Sequence, residues 1–193
     1  MPSDVYFSRR SAFRQVFAAG VAAGFASCLS AAPLGVAPED RKRVSPHETV
    51  SEDLGGKKLT ITYGRPSLKG RKMLGGQDPY GKVWRLGADE ATKLTVTSRT
   101  MTAGDFALEP GSYGLFAIPY ADRWTMIVNK VADQWGAFTY DKAQDVGRFD
   151  LNVKRLTTPV EEFTITLAKA ASNEVMATFA WGSASVATHF KFL

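Results

Sequence analysis

From Thr49 to Phe190 the apolar residues of this chain recur at every second position, and the 3.6-residue period of an amphipathic helix is nearly absent. Leu59, Ile61 and Tyr63 share one phase. So do Phe163, Ile165 and Leu167, and again Val175, Ala177, Phe179 and Trp181, while Leu94 and Val96 alternate against Thr95 and Thr97. Successive side chains of a strand point to opposite faces, so this pattern describes half-buried strands and excludes a helical or doubly wound fold. Strands are expected over 49–53, 57–63, 93–98 with 99–102 as a continuation, 106–108, 112–118, 124–129, 148–154, 160–168, 175–181 and 186–190. Gly55-Gly56, Ala103-Gly104-Asp105, Glu109-Pro110-Gly111, Pro119-Tyr120-Ala121-Asp122 and Gly182-Ser183-Ala184-Ser185 read as the turns between them. Only 133–145 has room for a turn of helix. About nine to eleven short, mostly antiparallel strands with closely spaced turns define an all-β domain, a single β-sandwich or a partly open barrel. A flat single sheet would leave one apolar face of every strand in water. Trp124, Phe116, Phe163 and Trp181 are its expected core aromatics.

The first residues follow a different rule. A basic cluster, Ser8-Arg9-Arg10-Ser11-Ala12-Phe13-Arg14, precedes an apolar run from Val16 to Leu29 and then small residues, the order of an export signal. The apolar run is too short for a bilayer span, which needs ~20 residues. The paired arginines fit twin-arginine export, although Phe13 sits one place late for it, so the general route stays open. Cys28, the only cysteine, closes Phe25-Ala26-Ser27-Cys28. This resembles a degenerate lipoprotein-processing box, with Cys28 as a lipidation candidate, or Cys28 is a small residue of a discarded peptide. Residues 1–37 are therefore assigned to export and processing, 38–47 to a Pro-rich tether and 48–193 to one all-β domain. The folded domain holds no thiol, so it is compatible with an oxidising periplasmic or cell-envelope compartment and is not disulfide-stapled.

Charge is local. Residues 41–72 carry nine cations against three acids, whereas the rest of the domain carries twelve cations against thirteen acids. A nucleic-acid-binding face needs a sustained basic stripe, and none is present. Membrane contact is expected only through a lipid anchor at Cys28, and the pattern does not define an oligomeric state.

Common catalytic constellations are missing. His47 and His189 lie at opposite ends of the domain without partners at metal-ligand spacing, so no metal or cofactor is expected. There is no nucleophile elbow and no phosphate loop. The polar density falls in the long connection 67–92, above all in Pro79-Tyr80-Gly81-Lys82-Val83-Trp84-Arg85-Leu86-Gly87-Ala88-Asp89-Glu90-Ala91-Thr92. A loop of that length is either functional or packed by its own side chains. Its candidates for holding a small anionic or carbohydrate ligand are Tyr80, Trp84, Arg85, Asp89 and Glu90, joined by Arg65, Arg71 and Arg148. Arginine beside an aromatic can clasp an anion or stack on a sugar, or it can brace a loop through its carbonyls, and bracing is the favoured reading. Asp89 and Glu90 are adjacent and should face opposite ways, so they do not form an acid/base pair on one bond. One of them is expected to cap, or to pair with Arg85 or Lys93.

These stretches, with Tyr63-Gly64-Arg65-Pro66-Ser67-Leu68-Lys69-Gly70-Arg71, Pro110-Gly111-Ser112-Tyr113-Gly114-Leu115-Phe116-Ala117-Ile118-Pro119, Trp124, Asn129, Trp135-Gly136, Tyr140, Asp145-Val146 and Arg148, resemble the exported bacterial family catalogued as domain of unknown function 2911. The resemblance spans roughly residues 45–190 and implies an exported all-β domain, with no reaction, cofactor or catalytic residue attached. Asp89 departs from the family pattern, which more often has Asn there. The expected function is a non-catalytic ligand-binding or structural module of the cell envelope. The alternatives are a hydrolase or isomerase acting on a sugar or acyl compound through 79–92, and an assembly or chaperone-like role.

Overall fold

The computed structural model describes residues 42–193, so the export segment and Cys28 lie outside the described residues. Ten strands follow in order: β1 (His47–Leu54), β2 (Lys57–Gly64), β3 (Thr92–Val96), β4 (Thr100–Thr102), β5 (Ala107–Leu108), β6 (Gly111–Pro119), β7 (Arg123–Asn129), β8 (Asp145–Asn152), β9 (Lys154–Ala171) and β10 (Glu174–Phe192). Among the described residues the one helical element is a 3-10 turn at Lys142–Gln144, inside the stretch expected to hold one. The strands form two antiparallel sheets, β1-β2-β3-β6-β7-β8 and β5-β4-β10-β9, and neither closes into a barrel.

The alternation places the core. Leu59, Ile61 and Tyr63 of β2 meet Phe163 and Ile165 of β9 and Val175, Ala177, Phe179 and Trp181 of β10, all nearly or fully buried in one cluster between the sheets. The outer face of the six-stranded sheet has its own small cluster, Ala91, Phe116 and Ile127 under Tyr140. Each of the buried Leu, Ile, Val and Phe side chains contributes roughly 1.5–3 kcal/mol through burial. Where β1 and β9 run side by side, two residues tie sheet to sheet. The Tyr63 hydroxyl donates to Glu48 Oε2 at 3.0 Å and accepts the Ile165 amide at 3.0 Å. Arg65 reaches Glu48 at 3.2 Å and Glu162 at 3.4 Å.

Three expected boundaries change. Residues 99–102 do not prolong β3, because the chain crosses at 97–99 and β4 pairs with β10 in the other sheet. Gly182–Ser185 is no turn: β10 runs unbroken for 19 residues. Its irregularity is a bulge in the partner strand. Between the pairs Ala180–Thr164 and Ala184–Arg155, β10 advances four residues and β9 nine, so β9 buckles. Glycine and serine suit a bulge as well as a turn, and only the pairing tells them apart. Finally, His47 is not tether but the first residue of β1.

The connection between β2 and β3 folds onto this frame. Its first part docks on β9 through the amides of Leu68 and Phe163, which donate to Glu161 and Pro66 carbonyls at 2.9 Å. Its second part takes the place beside β6 that β3 vacates. Trp84 exchanges two backbone hydrogen bonds with Ala117, at 2.7 and 2.9 Å, and its side chain drops into the core. There it stacks on Trp181 (5.6 Å, 10°) and meets Trp124 and Phe163 edge-on at 5.5 and 5.2 Å.

Candidate functional site

The segment 86–90 turns tightly. Leu86 and Asp89 both take left-handed backbone, at φ 55° and 61°, a conformation that aspartate tolerates and leucine rarely adopts. The turn packs against Gly64 so closely that a Cβ there would lie 2.1 Å from the Ala88 carbonyl oxygen. Asp89 is buried, and its carboxylate accepts the amides of Val44 (3.2 Å) and Ser45 (2.9 Å). Glu90 points the other way and pairs with Arg43 (2.6 Å) and His47 Nε2 (2.7 Å). Burial pushes the Glu90 carboxyl up, but Arg43 and His47 outweigh it and hold it below its ordinary value. Residues 43–47 therefore form a strap across the 86–90 turn. Asp89 and Glu90 diverge as expected, and Asp89 caps backbone amides, while neither carboxylate pairs with Arg85 or Lys93. Lys93 pairs with Asp133.

Two depressions flank the strap. On the Glu90 side lies one of about 230 Å³, walled by Tyr63, Lys93 and Gln134. On the Asp89 side lies a larger groove of about 490 Å³, walled by the strap, Lys69, Arg71, Asp78, Arg85 and Trp135. Arg85 and Asp78 also border a recess of about 290 Å³ beneath Phe138, which is 79% exposed. The Arg85 guanidinium lies over Gly136, where a Cβ would sit 3.1 Å from Nη1. Its one hydrogen bond among the described residues is a long one, Nη1 to the Asp89 carbonyl at 3.5 Å. Burial pushes the Asp78 carboxyl up, against the pull of Arg85 and Arg71. No hydrogen bond or ion pair among the described residues uses that carboxyl. The groove thus presents a planar cation and a carboxyl group with most of their bonding capacity unspent, a combination that suits a ligand bearing both negative charge and hydroxyl groups.

The sequence candidates sort accordingly. Arg85, Arg71 and Asp89 come together in the groove. Arg71 is a brace within it, donating to the Leu68 and Ser67 carbonyls (2.9 Å each) and to Gln77 (3.3 Å). Tyr80, 40% exposed, stands beside a neighbouring depression of about 260 Å³. Glu90 faces the opposite side of the strap. Trp84 is corrected from ligand candidate to core residue, since at 4% exposure its ring is spent on Trp181 and Trp124. Arg65 is committed between the sheets. Arg148 is locked to Asp145 (2.7 Å) and the Tyr140 hydroxyl (2.5 Å), in a cluster where burial and Asp145 push the tyrosine up to about 12. Asp78 and Phe138 join the site without having been singled out, and Trp135, one of the residues that carry the family resemblance, joins it with them. The available signal was an aromatic pair around Gly136 in a segment with no strand pattern of its own. Among the described residues no group of three or more His, Cys, Asp or Glu is arranged to hold a metal ion.

Residues 45–190 match the family model described as "Protein of unknown function (DUF2911)". No curated protein and no solved structure matches the chain.

Proposed function

Since the chain belongs to the DUF2911 family, whose description names no activity, its groove is the guide, and we propose that the protein is a non-catalytic module that binds a small anionic or carbohydrate ligand in the cell envelope. The observation that carries this reading is the Arg85 guanidinium, partly buried in the wall of a 490 Å³ groove with a single long hydrogen bond. A partly desolvated guanidinium gains more from a carboxylate or sulfate than an exposed one does, because water competes less. Asp78 supplies an acceptor for hydroxyl groups, and Phe138 supplies an exposed aromatic face beside Arg85. The export signal read in the first 37 residues supports the envelope as the compartment.

The hydrolase or isomerase alternative needs Asp89 or Glu90 free to act with Arg85. Asp89 spends its oxygens on the strap amides, and Glu90 lies across the strap on Arg43 and His47. No observation favours it over binding.

A thermal-shift panel of uronic acids, neutral monosaccharides and small organic anions tests the proposal. A ligand with a Kd near 1 mM, present at ~10 mM, stabilises by about 1.4 kcal/mol, or roughly 3–6 °C in a domain of this size. The expected result is a shift with an acidic sugar that Arg85→Ala removes. No shift with any compound, or an equal shift in the variant, would overturn the reading.

A further inference from the structure

Next to the groove, the Tyr80 depression differs from it in charge. Its lining includes Arg71, Lys72 and Arg155 and no carboxylate. The two cavities are neighbours: Arg71, Met73 and Trp181 line both. Arg71 spends three of its five N–H groups on Ser67, Leu68 and Gln77, which hold it in place as a wall between them. Lys72 and Arg155 are different. The Lys72 ammonium has no partner among the described residues, and Arg155 spends one N–H on the Ala121 carbonyl at 2.7 Å. Both are exposed and face a space that the fold itself creates. This is where β9 carries five more residues than β10 between the Ala180 and Ala184 pairings, and Pro159 of the buckled strand forms part of the wall. Bulges re-aim side chains and end pairing next to sites. Trp181, 2% exposed, adds an indole N–H with no hydrogen-bond partner in the same wall.

We propose that the groove continues past Arg71 into the Tyr80 depression, and that the two together hold successive units of an acidic oligosaccharide. The carboxylate of one unit lies on Arg85 and that of the next lies between Lys72 and Arg155. This rests on the reading of the groove as an anionic or carbohydrate site and specifies its ligand. A single small anion would need only Arg85. A second cation pair, free of competing carboxylates and separated by a fixed wall, suits a repeat of the same charge further along a chain. Tyr80 stands beside the second subsite, and Phe138 lines the recess that adjoins the groove at Asp78 and Arg85; each is exposed enough to stack on a pyranose face.

Isothermal titration of the full chain with galacturonic acid, trigalacturonic acid and maltotriose tests this. Trigalacturonate is expected to bind at least 10-fold more tightly than the monomer, and maltotriose more weakly than either. Lys72→Ala with Arg155→Ala, two exposed positions whose loss leaves the core intact, should bring the trimer down to the affinity of the monomer. Arg85→Ala should weaken both uronates. A trimer no tighter than the monomer, a trimer advantage that survives the double substitution, or equal binding of maltotriose overturns the extended site while the groove reading stands. If neither uronate binds the unsubstituted chain, the extended site falls, and the groove reading falls with it only when no compound of the thermal-shift panel shifts the melting temperature either.

Discussion

Asp89 does two jobs with one residue: its backbone turns left-handed at φ 61° and its carboxylate receives the amides of Val44 and Ser45. The two can be separated. Asp89→Asn keeps a residue type that tolerates the left-handed region and keeps one acceptor, so it should cost about 1 kcal/mol. Asp89→Ala loses both acceptors and adds backbone strain, for a total of about 2–4 kcal/mol. Urea unfolding of the two variants checks the order. Glu90 offers a pH test. Its folded carboxyl lies below its ordinary value because Arg43 and His47 outweigh burial. That contribution is complete above the unfolded glutamate range, near ~4.3, and is lost as pH falls through the folded value. Melting temperature measured from pH 7 down to pH 3 should therefore fall more steeply for the unsubstituted chain than for Glu90→Gln. Parallel curves would show that the Arg43–Glu90–His47 contact contributes nothing to folding.

At the level of elements, Tyr63 tests how the two sheets are joined. Burial pushes its hydroxyl up to about 12, and the Ile165 amide of the opposite sheet depends on it for an acceptor. Tyr63→Phe should cost about 1–3 kcal/mol, the penalty of one buried unpaired N–H, with little lost packing. Hydrogen exchange at Ile165 should speed up more than at Val175. The strands themselves were readable because period-two alternation is local: Leu59, Ile61 and Tyr63 declare their face without reference to any other element. The β9–β10 ribbon was not, because Gly182–Ser185 has turn chemistry and the bulge exists only in the pairing with residues 155–164. The strap was missed for a related reason. Residues 43–46 have a linker's composition, and their hold on the domain comes from two carboxylates more than forty positions away.

Across the whole molecule, the candidate site was half legible. Arg85 and Asp89 stand out by composition within their loop, and the bracing roles of Arg65, Arg71 and Arg148 follow from arginine's appetite for carbonyls and carboxylates. Asp78 and Phe138 enter only because the 131–141 connection is folded against the 79–92 connection, a juxtaposition no local pattern encodes. The same folding drives Trp84 into the core, so the connection that shapes the groove is also part of what holds the sheets together. Trp84→Ala should therefore cost about 3–5 kcal/mol and loosen ligand binding along with stability, measurable as parallel losses in urea midpoint and in titration affinity. A further consequence is optical. Three of the chain's four tryptophans have ring centres within 5.6 Å of Trp84 or belong to it, and one of them, Trp181, also forms the wall shared by the groove and the Tyr80 depression. Indoles held that close in fixed orientations couple their electronic transitions. The folded domain should thus carry a strong near-ultraviolet circular dichroism band that vanishes on unfolding and changes shape when a ligand settles against Trp181, a built-in spectroscopic reporter for a site that has no chromophore of its own.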